Sequence, residues 1–135
     1  MTRGRYLGRV CRKPEAVRRR ANALLFPGWM SESPLAAVSV VLYESQDPIN
    51  IGAVVRAMKN MGVWDLRLIR PCHYDPNRIE QIAHDTRDVV ERIRHFDTID
   101  EALADCVHVV AFSGRRRAAR WARHTPRTAA ASRSP

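Results

Sequence analysis

Cysteine is scarce in this 135-residue sequence: there are three, Cys11, Cys72 and Cys106, and no two lie close together. An odd, scattered set excludes a disulfide framework and implies reduced thiols in a cytoplasmic setting. No run of about 18 apolar residues occurs, which excludes a membrane-spanning helix. The apolar stretch Ala23–Phe26 is too short for a secretory signal, although the Arg-rich, acid-poor start has the composition of a transit peptide. No phosphate-binding loop of the nucleotidase type is present. Acid is missing altogether from residues 111–135, which hold seven arginines.

What is abundant is positive charge, and it is unevenly placed. The net charge is +9, with +6 in residues 1–33, −4 in residues 34–110 and +7 in residues 111–135. Arg-rich ends point to phosphate partners, because the guanidinium matches phosphate bidentately. A solvated tail without a partner has the same composition. The expected organisation is a basic, poorly ordered N-terminal extension over residues 1–33, a folded body over 34–127 and a low-complexity tail over 128–135. Within the extension, residues 1–29 read as an appendage, since "MSESPLAAVSVVLYE" from Met30 resembles an ordinary start running into a first strand.

The body alternates strand and helix. "VSVVLY" (Val38–Tyr43) is a nearly continuous apolar run, as in a strand buried on both faces. A helix is predicted from about Ile51 to Met61, with Asn50 as N-cap and Gly62 just past its end. Val54, Ala57, Met58 and Met61 would form its apolar stripe. Leu66–Ile69 reads as a strand that Pro71 stops. Asp75-Pro76 opens a helix carrying Ile79, Ile82 and Ala83. A short strand is predicted near Ile93–Phe96. Thr98 and Glu101 have capping-box spacing and start a helix through Ala102, Leu103 and Cys106. Val107–Phe112 is the last strand. This order, β-α-β-α-β-α-β, predicts an α/β fold with a parallel sheet and flanking helices. About 90 such residues leave sheet edge uncovered, so low stability or self-association is expected.

Ligand sites in such sheets lie at the carboxyl ends of the strands. Glu44–Asn50 and Ser113–Arg117 follow the first and last strands of the body and should share that rim. Arg56 falls roughly 200° from Val54 around the helix, on the polar side and near the helix start, where anions are favoured. Gly52 would let a ligand approach the backbone. A surface arginine on an exposed helix face is the plainer account of Arg56.

"NIGAVVRAMKNMG" (Asn50–Gly62), with Glu44 and Pro48 before it, "FDTIDEALADC", "VVAFSGRRR" and the "TPR" at Thr125–Arg127, resembles the SpoU-type RNA 2′-O-ribose methyltransferases of the SPOUT class. The nearest branch is that of the tRNA (cytidine/uridine-2′-O-) methyltransferases. The resemblance covers roughly Val38 to Thr128 and implies the N-terminal half of an α/β-knot domain. No match to the knot-forming C-terminal half, which holds the donor-binding motifs, is present. It implies S-adenosylmethionine as methyl donor, RNA (tRNA, or alternatively rRNA) as substrate, and a homodimer. By position, Asn50 would shape the site and Arg56 would handle the ribose 2′-hydroxyl. Arg115, Arg116 and Arg117 would meet RNA phosphate, with Glu44 and Gly52 beside the RNA. A guanidinium is a poor base, so an electrostatic role for Arg56 is preferred to proton abstraction. A basic RNA-binding module that does not methylate, or an inactive gene fragment, are the alternatives.

Weaker features read as structural. Cys72-His73 and Cys106-x-His108 are lone pairs without zinc spacing. His84, His95 and His124 show no base–nucleophile pairing. Trp64 and Trp121 are expected to pack rather than stack on bases.

Overall fold

The computed structural model describes the backbone of residues 7–12, residues 34–112, and Thr125, Arg127 and Thr128. Five strands form one sheet: β1 (Leu7–Arg12), β2 (Val38–Tyr43), β3 (Asp65–Ile69), β4 (Arg94–Phe96) and β5 (His108–Phe112), in the order β4-β3-β2-β1-β5. β2 pairs with β3, and β3 with β4, in parallel. These three strands and their helices are the predicted parallel α/β body.

The remainder of the sheet departs from expectation. β1 lies within the segment expected to be a poorly ordered extension, and it pairs antiparallel with both β2 and β5. The last strand therefore joins through β1 rather than directly. The physical reason is that a ladder is satisfied by backbone groups alone, so a segment without apolar periodicity can fill a lane flanked by two strands.

Among the described residues, four helices connect the strands. α1 (Pro48–Met61) starts three residues earlier than the predicted Ile51. Asp47, not Asn50, is its cap: the Asp47 carboxylate accepts from the Ile49 amide at 2.8 Å. Pro48 occupies the first position, where a missing N–H costs nothing. The buried side is Ile51, Gly52, Val55 and Met58, whereas Met61 is 66% exposed. Gly62 ends the helix in the left-handed region at φ 68°, as predicted. α2 (Pro76–Ile82) is capped by Asp75, which accepts from the Asn77 amide at 2.9 Å. α3 (Arg87–Val90) was not predicted. α4 (Ile99–Leu103) carries the predicted capping box between Thr98 and Glu101.

Side-chain alternation places the helices on both faces. Leu66 and Leu68 of β3 pack with Ile51, Val55 and Met58 of α1, Ile79 of α2, and Val89 and Val90 of α3. The opposite face carries Val41, Ile69 and Ala102, with Tyr43, Phe96, Ile99 and Leu103 around them, so α4 covers it. β3 is consequently buried along its whole length. That burial includes an arginine, Arg67, at 1% exposure.

Candidate functional site

The parallel register sets Tyr43 beside Ile69 and Ile69 beside Phe96, so the strand ends open side by side on one rim. The next residues, Glu44 and Arg70, both have left-handed backbones, with φ of 48° and 43°. For residues with a Cβ this costs of order 1–3 kcal/mol each and persists only when surrounding contacts dictate it. Here the Glu44 amide donates to the Ile69 carbonyl at 2.8 Å, the Arg70 amide to Phe96 at 3.3 Å, and the Cys72 amide to Ser45 at 2.8 Å. The Arg70 guanidinium pairs with Glu44 Oε1 at 2.7 Å, donates to the Tyr43 hydroxyl and lies 5.3 Å from the Tyr43 ring centre. Sequence reasoning picked out Glu44 but missed Arg70 and Tyr43. The register that joins them is invisible along the chain.

Arg56 is exposed, as predicted, but it is not at the rim. Its Nη1 donates to the His84 carbonyl at 2.6 Å, just past the end of α2. Eight residues separate it from Pro48, about 12 Å along the helix axis, beyond the first turn where the dipole acts. Asn50 is half-buried in the first turn of α1 and engaged there. Gly52 does not present open backbone. A Cβ there would lie 2.8 Å from Cγ2 of Ile82, so the glycine admits α2 against α1. Arg115, Arg116, Arg117, His124 and Trp121 lie outside the described residues.

Toward the amino ends of the strands, away from the rim, is an ionic cluster that the sequence reading did not anticipate. Arg67 Nη2 meets Asp65 at 3.0 Å and Asp105 at 2.8 Å, and its Nη1 donates to the Ala102 carbonyl. Arg94 Nη2 reaches the other oxygen of Asp65 at 2.6 Å, and the Ser39 hydroxyl donates to Asp65 as well. The cluster ties β2, β3 and β4 to the end of α4. The available signal was an arginine interrupting the apolar "LRLI".

Other residues resolve as follows. Trp64 is buried, with Lys59 Nζ 5.2 Å from its ring. His95 meets the Tyr74 hydroxyl at 2.9 Å in a stacked pair. Burial pushes the Tyr74 phenol up. Cys72 is a free thiol, raised by burial and then by the Asp47 carboxylate. Cys106 is disulfide-bonded, against the expectation of three reduced thiols. β1 places the Cys11 backbone in the sheet opposite Val109, three positions from Cys106, a proximity that the sequence spacing hides. Among the described residues, no group of three or more His, Cys, Asp or Glu could hold a metal ion, and no helix is long and apolar enough to cross a membrane.

A sheet with helices on both faces and a polar rim at its strand ends defines an open α/β domain. The chain belongs to the SpoU rRNA Methylase family, whose sequence profile matches residues 37–130. The tRNA (cytidine/uridine-2′-O-)-methyltransferase TrmJ of Salmonella typhimurium is 38% identical over 93 residues, covering 69% of this chain and 38% of that protein. The TrmJ of Klebsiella pneumoniae gives the same values. Among solved structures, TrmJ from Z. mobilis ZM4 is 38% identical, covers 50% of this chain and 31% of that one, and superposes with a TM-score of 0.47. The chain thus spans 38% of the length of the curated relatives named here.

Proposed function

We propose that this chain is the acceptor-side portion of an RNA 2′-O-ribose methyltransferase, acting on tRNA with S-adenosylmethionine as donor. The observation that carries the reading is the family match over residues 37–130, which contains the Glu44–Asn50 loop and the whole Asp47–Gly62 stretch. The TrmJ relatives act, by their names, on the ribose 2′-oxygen of tRNA cytidine and uridine. A cytoplasmic location and the family's homodimer belong to the same proposal.

In this reading Arg56 supplies charge rather than taking a proton. A guanidinium with a pKa above roughly 12 is a poor base but a good partner for a developing alkoxide or a neighbouring phosphate. In the structure Arg56 donates to the neutral His84 carbonyl. A phosphate or alkoxide oxygen would replace that acceptor with a stronger, charge-assisted bond. Asn50 would hold the first turn of α1 in shape, and Arg115–Arg117 would meet the RNA backbone.

The donor is a different matter. Of the described carboxylates beside the strand ends, Asp47 accepts from its own helix, Glu44 is paired with Arg70 and Asp97 is exposed. No residue of the described rim is assigned to the donor, and no step is derived through it. The chain's own contribution is placed on the acceptor side.

The test is incubation of the chain with labelled S-adenosylmethionine and bulk tRNA. Label in tRNA supports an enzyme. Salt-sensitive tRNA binding without label supports a basic binding module, the reading that the net charge of +9 favours. If neither label nor binding is seen, the methyltransferase reading falls for this chain and the inactive-fragment reading stands. In a complete enzyme, Arg56→Ala should cut turnover far more than RNA affinity. Equal losses would remove its transition-state role.

A further inference from the structure

Glu44 and Arg70 are the first residues past β2 and β3, and each leaves the sheet through a left-handed backbone. The register that pairs Tyr43 with Ile69 sets the two turns side by side. Beyond Glu44 the chain starts α1: Ser45 is buried, Asp47 caps the helix, and the Asn50 amide donates to the Asp47 carbonyl at 3.1 Å. Arg70 reaches both neighbouring strands. Its amide donates to the Phe96 carbonyl at the end of β4, and on the β2 side its Nη2 donates to the Glu44 carboxylate and the Tyr43 hydroxyl. The Arg70 and Glu44 side chains are 54% and 36% exposed, and an ion pair so exposed contributes little to global stability. What it fixes is local geometry.

We infer that Arg70 is a positioning residue for the acceptor: its guanidinium, seated on the Tyr43 ring and hydroxyl, holds Glu44 in its turn and thereby sets the Ser45–Asn50 loop and the first turn of α1. Two observations carry this beyond a surface ion pair. First, one nitrogen, Nη2, serves both Glu44 and Tyr43 while the guanidinium carbon lies 5.3 Å from the ring centre, so the direction from which Glu44 is held is fixed. Second, a left-handed backbone at a residue with a Cβ persists only while its surroundings dictate it, and the Glu44 turn precedes every contact that starts α1. The loop's other tie is the Cys72 amide on the Ser45 carbonyl. It comes from the chain two residues past Arg70 and so depends on the adjoining turn. Glu44 thereby becomes part of the scaffold rather than a group that meets RNA. The effect on RNA rests on the functional reading above, whereas the hold on the loop does not.

Charge and position predict opposite signs at Glu44. Glu44→Ala makes the chain more positive, so attraction to phosphate alone would tighten RNA binding, whereas a loosened loop weakens it. The first measurement is amide hydrogen exchange on the full chain. In Glu44→Ala and in Arg70→Ala, the Cys72 and Asn50 amides should exchange at least roughly tenfold faster than in the parent, while those of Leu66 and Leu68 in β3 stay protected. Arg70→Lys, which still offers Glu44 a charge, should recover most of the protection. Unchanged exchange in Arg70→Ala, or no recovery with lysine, would overturn the inference. The second measurement is tRNA affinity at several salt concentrations. Both alanine variants should weaken binding by roughly fivefold, because a loose loop must be ordered on binding. The slope of log affinity against log salt should stay at the parent value. Equal or tighter binding by Glu44→Ala would overturn the positioning role. So would a slope lowered by about 0.7–0.9 in Arg70→Ala, which would make Arg70 a direct phosphate contact. A parent chain that binds no tRNA would count against the proposed function, and the hold on the loop is then decided by exchange alone.

Discussion

Arg67 is 1% exposed and carries its charge inside the sheet, where burial alone would lower its pKa. The hydrogen bond to Asp105 and the charge of Asp65 outweigh that burial and leave the guanidinium above its ordinary value. Removing one member of such a cluster leaves the others buried and unbalanced, at a cost of about 3–5 kcal/mol. Arg94 still reaches Asp65, so Arg67→Met should fall at the lower end of that range. Urea titration followed by circular dichroism measures it, and a midpoint equal to the parent's would mean the cluster is dispensable. At the rim, burial first and Asp47 second hold the Cys72 thiol above its usual range. A raised pKa means less thiolate at neutral pH, and hence slow alkylation. Asp47→Asn keeps a good helix cap while removing the charge, so iodoacetamide should react faster with Cys72 at pH 8 in that variant. An unchanged rate would leave burial as the whole cause.

At the scale of elements, α1 and α2 meet through a missing side chain. Alanine is favoured over glycine in a helix by about 1 kcal/mol. At Gly52, however, the added methyl would enter the β-branched end of Ile82 at 2.8 Å. Overpacking of this kind costs typically 1–3 kcal/mol, so Gly52→Ala should lower the melting temperature. Ile82→Ala in the same chain should recover part of the loss. Additive losses in the double variant would show that the two residues do not meet. Element ends were largely legible in the sequence, because caps are local chemistry: Thr98 with Glu101, Asp75 with Pro76, and Gly62 all stand where spacing placed them. The start of α1 was misread because Asn50 is a good cap type, yet Asp47 followed by Pro48 is the better one. That offset also moved the predicted apolar stripe off Ile51 and Val55. α3 left no periodic signal, since its turn is set by the Thr86 hydroxyl bonded to the Ala83 carbonyl and by Asp85 at φ 59°. Arg56 was legible as an exposed residue of α1, whereas its partner His84 was not, because that contact depends on how α1 and α2 pack.

For the molecule as a whole, the parallel body followed from the alternation of apolar strands and capped helices. β1 could not be read the same way, because a strand held by backbone pairing on both edges needs no pattern of its own. Charge, in contrast, is a whole-chain property that the sequence displays directly. The body over residues 34–110 has a net charge of −4 between ends of +6 and +7, so any RNA backbone is drawn to the ends. Each phosphate contact contributes about 0.7 (single strand) to 0.9 (duplex) to the slope of log affinity against log salt. If Arg115, Arg116 and Arg117 each meet a phosphate, replacing all three by alanine should lower that slope by about 2–3 and weaken binding at every sequence tested. Titrations of tRNA at several potassium chloride concentrations measure both. A slope that stays at the parent value would move the RNA contact away from Arg115–Arg117 and leave the N-terminal arginines to carry it.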